Sequence, residues 1–138
     1  MSYLLDANAL LYAFQTTKPR HPAFLGWLRQ ALTDAETLYS SSLSEVALAR
    51  ISTRVYNTPA EDVFKFLADL HAQLTYRHLE LGKAGLDRWR QLVLSLGLCG
   101  NDLNDAYLAA LALEHRLTLV TADAGFARFP GLRVFTPA

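Results

Sequence analysis

Apolar residues fall along this chain in two textures, short unbroken runs and longer stretches spaced by three and four, and the two alternate from end to end. Tyr3-Leu4-Leu5 is a short run stopped by Asp6, whereas Ala9 to Phe14 has the composition of a buried helix. Pro22 stands where a second helix begins, with Phe24, Leu25, Trp27, Leu28 and Leu32 on one face as far as Ala35. Thr37-Leu38-Tyr39 predicts a second strand. Ser42-Leu43-Ser44-Glu45 matches a capping box, which opens a helix running through Arg54 and sets Glu45 in its first turn. Glu61 to Leu74 carries Val63, Phe64, Phe66, Leu67, Leu70 and Leu74 at helical spacing, and Tyr76 to Leu79 alternates as a strand. Lys83 to Leu96 predicts another helix, after which Gly97 and Gly100 bracket a loop.

From Asn104 the pattern changes. Asp105 is followed by Ala106 to Leu113 with no polar side chain other than the Tyr107 hydroxyl, too continuous for a surface helix, so this helix is predicted to be central. Leu117 to Val120 has strand composition, Ala124 to Ala127 a turn of helix, and Leu132 to Phe135 a last strand. Strands alternating with helices predict an α/β domain of three layers, a short parallel sheet covered by helices on both faces, with ligands gathered beyond the carboxyl ends of the strands. The length suits a single domain over residues 1–138.

Composition narrows the function mainly by exclusion. Thirteen Lys and Arg balance 13 Asp and Glu, so bulk charge points to no polyanionic partner, although acids loaded with divalent cations present a local positive centre to phosphate. No uncharged stretch, Thr37 to Ser44 included, is long enough to span a bilayer, and the start of the chain lacks the basic segment of a secretory signal, so a cytoplasmic protein is expected. Cys99 is the sole cysteine; it excludes an intrachain disulfide and is expected to be a small buried apolar residue. His21, His71, His78 and His115 lack paired zinc-ligand spacing, Ser40-Ser41-Ser42 has no G-x-S-x-G elbow, and Gly97-Leu98-Cys99-Gly100 is no phosphate-binding loop.

The acids carry the chemistry. Asp6 directly follows the first strand, Asp123 closely follows a late one, and Glu45 and Asp105 stand at helix starts. A carboxylate at the edge of a core needs a partner, and hard oxygen ligands suit Mg²⁺ or Mn²⁺, which activate water and stabilise the oxygens of a phosphoryl displacement. Each acid also has a plain structural reading: Asp6 and Asp123 as helix caps, Glu45 as the second half of a capping box. Asp105 is the hardest to explain that way, since Asn101, Asp102 and Asn104 are all available as caps.

Taken in order, Tyr3-Leu4-Leu5-Asp6-Ala7-Asn8, Ser44-Glu45-Val46-Ala47, Asn104-Asp105-Ala106 through Ala112, Leu119 to Phe126 and Phe129-Pro130-Gly131-Leu132 resemble the motif series of the PIN-domain family, and within it of VapC-type toxins. The resemblance implies a metal pocket of Asp6, Glu45, Asp105 and Asp123, with Asn8 and Thr121 orienting carboxylates or water. It also implies an endoribonuclease toxin that cuts structured RNA, forms a homodimer and is inhibited by a cognate antitoxin. Two features depart from the pattern: Asp102 lies close enough to Asp105 to compete for its role, and Arg116 stands where a glycine often ends the long helix. Arg50 and Arg54, one turn apart, are placed to guide RNA near Glu45. Phe24, Trp27, Phe64 and Phe66 are read as packing, with more apolar helix surface than one small core needs. A PIN nuclease of RNA processing with no antitoxin, or a silent PIN-like binding module, are the alternatives.

Overall fold

The computed structural model describes residues 1–138. Five short strands, β1 (Ser2–Leu5), β2 (Thr37–Ser40), β3 (Tyr76–His78), β4 (Thr118–Val120) and β5 (Arg133–Phe135), pair in the order β3-β2-β1-β4-β5, every pair parallel. Parallel neighbours need long crossovers, and these supply α1 (Ala7–Phe14), α2 (His21–Thr33), α3 (Ser42–Val55), α4 (Ala60–His71), α5 (Lys83–Leu96) and α6 (Asp102–His115), with a 3₁₀ turn at Ala124–Arg128. The chain starts at the centre of the sheet, steps outward through β2 and β3, then returns to build β4 and β5 on the other side of β1. Such a reversal leaves a crevice beyond the carboxyl ends of the two strands that flank it, here β1 and β4.

Both sheet faces are covered, as the unbroken apolar strands require. Leu5 and Val120 point to one face and pack with Leu10 of α1, Phe24 of α2, Leu48 of α3 and Val63 of α4. Their strand neighbours Leu4 and Leu119 point to the other and pack with Leu108 and Leu111 of α6, Phe126 and Phe129. The expectation of a central α6 holds: Ala106 and every residue from Leu108 to Ala112 are buried. No helix is long and apolar enough to cross a membrane.

Several expected boundaries shift for local reasons. The cap of α3 is Ser41, whose hydroxyl accepts the N–H of Ser44, so the predicted Ser42–Glu45 capping box is one residue out of register and Glu45 caps nothing. Asp6 itself caps α1, which starts at Ala7 rather than Ala9. The spacing that ran α4 on to Leu74 overshoots: the helix ends at His71, and Leu74 is 94% exposed in the turn leading to β3. Cys99 is exposed, not buried, because the loop turning from α5 into α6 lies at the surface. Phe24 is buried, and Trp27 and Phe66 pack against the first core; of the four aromatics only Phe64, 59% exposed, is surplus to it.

Arg116 ends α6 in the left-handed region at φ 56°, where a Cβ meets the following carbonyl and glycine is preferred. Replacing Arg116 by Gly is expected to raise stability by about 0.5–1 kcal/mol in urea unfolding, while Arg116→Ala brings no such gain. Equal effects of Gly and Ala would show that the arginine side chain, not the backbone, sets the balance.

Candidate active site

Asp6 is placed by the sheet. Its N–H donates to the Val120 carbonyl at 3.0 Å, which extends the β1–β4 pairing by one residue and fixes where the side chain leaves the strand. Its Oδ1 accepts the N–H of Ala7 and its Oδ2 the hydroxyl of Thr121, both at 2.7 Å. Capping and a place in the crevice are therefore not alternatives; the same carboxylate does both. Thr121 is fully buried, and its own N–H is held by the Phe135 carbonyl at 3.1 Å. Asn8 ties the start of α1 to the exit of β4, its Oδ1 accepting the Ala122 N–H at 3.1 Å. The Asp123 N–H donates to the Thr121 hydroxyl oxygen at 3.0 Å, and Asp123 Oδ1 caps the 3₁₀ turn through Gly125 at 2.8 Å.

Asp105 enters from the other side of the crevice. It lies in the first turn of α6 but accepts no helix N–H; its partner is Arg128, whose Nη2 lies 3.1 Å from Asp105 Oδ2 and 3.2 Å from Asp102 Oδ1. The capping explanation thus falls away for the acid it suited least. The bare edge of Gly125 makes room for the arginine, since a Cβ there would stand 3.1 Å from Arg128 Nη1. A cavity of about 410 Å³ opens between these elements, lined by Asp6, Ser44, Arg50, Asn101, Asn104 and Asp105.

The electrostatics follow from burial. Desolvation pushes the Asp6 carboxyl up to about 6, against the lowering effect of its bonds from Thr121 and Ala7, and the charges of Asp105 and Asp123 push it further the same way. Asp105 is also raised, first by burial and then by Asp123 and Asp102, with Arg128 opposing. Asp6, Asp105 and Asp123 are therefore close enough to repel.

Glu45 is not among them. Its Oε2 accepts the Ser40 hydroxyl at 2.6 Å and lies 2.9 Å from His71 Nε2, on the wall of a separate, largely apolar groove between α3 and α4. Arg50 lines both the groove and the acidic cleft, while Arg54, a turn further along α3, lines neither. Arg128 escaped the sequence reading, although one signal was available: acids crowded at strand ends need a counter-charge, and Arg128 is the base nearest to Asp123 in the chain.

No three His, Cys, Asp or Glu side chains stand ready as a closed ligand set. Asp6 and Asp123 are turned partly toward backbone N–H groups, and Asp105 toward Arg128. The donors are nevertheless hard oxygens, the cluster has one cation for three repelling carboxylates, and Asp105 Oδ1 and Asp123 Oδ2 accept no hydrogen bond, which fits an ion that keeps much of its water.

Comparison with known proteins identifies the family and the fold. The family model described as "PIN domain" matches residues 3–132. Ribonuclease VapC37 of Mycobacterium tuberculosis is 34% identical over 134 residues, covering 94% of this chain and 93% of that protein. Among solved structures, VapBC-1 from nontypeable Haemophilus influenzae superposes with a TM-score of 0.73 at 20% identity, over 99% of this chain and 98% of the other. A toxin–antitoxin complex from Klebsiella pneumoniae gives 0.63 at 23% identity, over 99% and 98%. With the expected sheet, the acids at its switch point and matches spanning nearly the whole chain, this protein belongs to the PIN-domain family, in its VapC branch.

Proposed function

We propose that this chain is an endoribonuclease dependent on Mg²⁺ or Mn²⁺, acting as the toxin of a toxin–antitoxin pair. The observation that carries the reading is the convergence of Asp6, Asp105 and Asp123 at the switch point of the sheet, beside a cleft lined by Asp6, Asp105 and Arg50. Asp105 and Asp123 offer free carboxylate oxygens, and Asp6, locked by Thr121 and Ala7, supplies a fixed charge behind them. A divalent cation held there supplies Lewis-acid stabilisation of a phosphodiester and an activated water. The chain's own part is to fix the acids: Thr121 and Asn8 join β4 to α1 so that the carboxylates from both ends of the chain keep their spacing. Arg50 attracts the RNA backbone to the rim, with Arg54 one turn behind it. Glu45, bonded to Ser40 and His71 on the groove side, takes no part in holding the cation in this reading.

The ribonuclease name of the related M. tuberculosis protein supports the substrate class, and the fold shared with a toxin–antitoxin complex supports an antitoxin as partner. The exposed Val46, Val55 and Phe64 leave apolar surface on α3 and α4 for a protein contact, with the antitoxin or within a homodimer. A housekeeping nuclease would share every acid but would not arrest growth on expression.

Purified chain is expected to cleave RNA with Mg²⁺ or Mn²⁺ and to stop in excess chelator, as followed by gel assay; full activity in chelator would remove the metal mechanism. Asp105→Asn is expected to lower cleavage by more than about 100-fold, as loss of a group that holds the metal would. Its stability should change by less than about 1 kcal/mol, because the half-exposed pair with Arg128 is lost while repulsion from Asp6 and Asp123 is relieved. Asp102→Asn should keep most activity, and the reverse pattern would move the metal-binding role to Asp102.

Metal-free stability should also depend on pH through Asp6. Its carboxyl titrates at about 6 in the fold against an ordinary 3.8, so the folded state holds the proton more tightly. This contribution is complete below about pH 4 and is lost as pH rises through 6, up to about 3 kcal/mol in all. Urea unfolding in chelator is expected to show Asp6→Asn gaining on the wild type between pH 4 and pH 7. A constant difference across that range would contradict the burial of the charge.

A further inference from the structure

Arg128 is the only basic side chain bonded to the acids of the cleft, and it does not behave as a surface arginine. Its guanidinium stacks on Phe129, 4.9 Å from the ring centroid, and passes over Gly125, where a side chain would obstruct it. A single nitrogen, Nη2, then reaches both Asp102 and Asp105. Asp6 and Asp123 have no ion-pair partner at all, so this one guanidinium is the direct counter-charge to the cluster.

The bonded oxygen matters. Asp105 Oδ2 faces the arginine at 3.1 Å, and a divalent ion binding the same carboxylate would bring a double positive charge close to the guanidinium. Carboxylate–magnesium bonds are about 2.1 Å long, so the two cations would repel at short range in a partly desolvated cleft. We propose that Arg128 is the resident counter-ion of Asp105 and competes electrostatically with the divalent cation for this carboxylate, so that metal at the free Oδ1 weakens the bond at Oδ2. The inference rests on the metal-dependent reading above. Arg128 then acts through Asp105 as a positioning residue: it fixes the carboxylate through Oδ2 while the site is metal-free, and it sets the affinity at which metal binds.

A purely structural arginine, stacked on Phe129 and pinning the 3₁₀ turn, would contribute equally whether or not metal is bound. Competition with the metal makes a different prediction. Arg128→Gln should bind Mn²⁺, titrated alone by calorimetry, about fivefold more tightly than wild type, the scale of one partly exposed ion pair removed from competition. Its melting temperature should fall below wild type by clearly more in chelator than in saturating Mn²⁺, since the bond to Asp102 and the stack on Phe129 are lost in both. Arg50→Gln removes a positive charge from the wall of the cleft without breaking an ion pair to the acids, and should tighten Mn²⁺ binding clearly less. In the wild type, the Arg128 side-chain Nε–H resonance should move on adding Mg²⁺, a readout that needs no variant.

Four results would overturn the proposal: unchanged or weaker Mn²⁺ binding by Arg128→Gln, an equal loss of melting temperature with and without Mn²⁺, as much tightening in Arg50→Gln, or an Arg128 resonance indifferent to Mg²⁺. Mn²⁺ bound equally by wild type and Arg128→Gln refutes the competition while leaving the metal reading intact. No binding by either refutes both.

Discussion

Placing the Asp6 carboxylate at the buried end of the central strand is unfavourable, and much of the surrounding structure offsets that cost. The charge loses most of its water, which raises its pKa, and the two hydrogen bonds that favour its ionised form come from opposite sides of the crevice. One belongs to the first turn of α1 and the other to the residue just past β4. Because β1 and β4 are paired in register, Val120 and Thr121 arrive at the right height to receive it. The sheet order, with β1 between β2 and β4, is therefore the condition for the cleft and not only a way to bury leucines.

The same arrangement explains which parts of the chain could be read in advance. Periodicity and composition identified every strand and helix, most of them covered on a face whose residues repeat with that element's own period, whereas β5 is exposed along its length. Leu4 with Leu119 and Leu5 with Val120 are the clearest cases, apolar on both sides of the sheet and so written as unbroken runs. Boundaries were less visible. Leu74 keeps helical spacing with Leu70 and Leu67, yet the chain has already turned, since a hydrogen bond from Tyr76 N–H to the Gln73 carbonyl begins the approach to β3. Nothing in a spacing rule registers a turn that starts within a matching pattern.

The site was legible to the extent that its geometry is local. Asp6, Asn8, Thr121 and Asp123 occupy strand exits, and strand exits can be located from apolar runs. Glu45 shows the limit. A one-residue change in which serine caps α3 decides the direction of its side chain, and Ser41 is chosen over Ser42 by how β2 delivers the chain into the helix. The carboxylate then meets Ser40 and His71, the latter brought close by the packing of α4 against α3. Arg128 was invisible for the complementary reason: its partners on α6 lie 23 and 26 residues earlier, across a fold that had first to be known.

The bond between Thr121 and Asp6 joins residues 115 positions apart. In kinetic terms, this is a contact of very high sequence separation, and loop-closure entropy must be met before it forms. A chain emerging from the ribosome can fold α1 to α4 and pair β2 with β1 and β3, but β4 arrives only near the end of synthesis. Until then, Asp6 has neither its Thr121 partner nor Asp123 beside it. Nascent and truncated chains consequently carry no assembled acidic cleft, and the centre comes into being only when translation is almost complete.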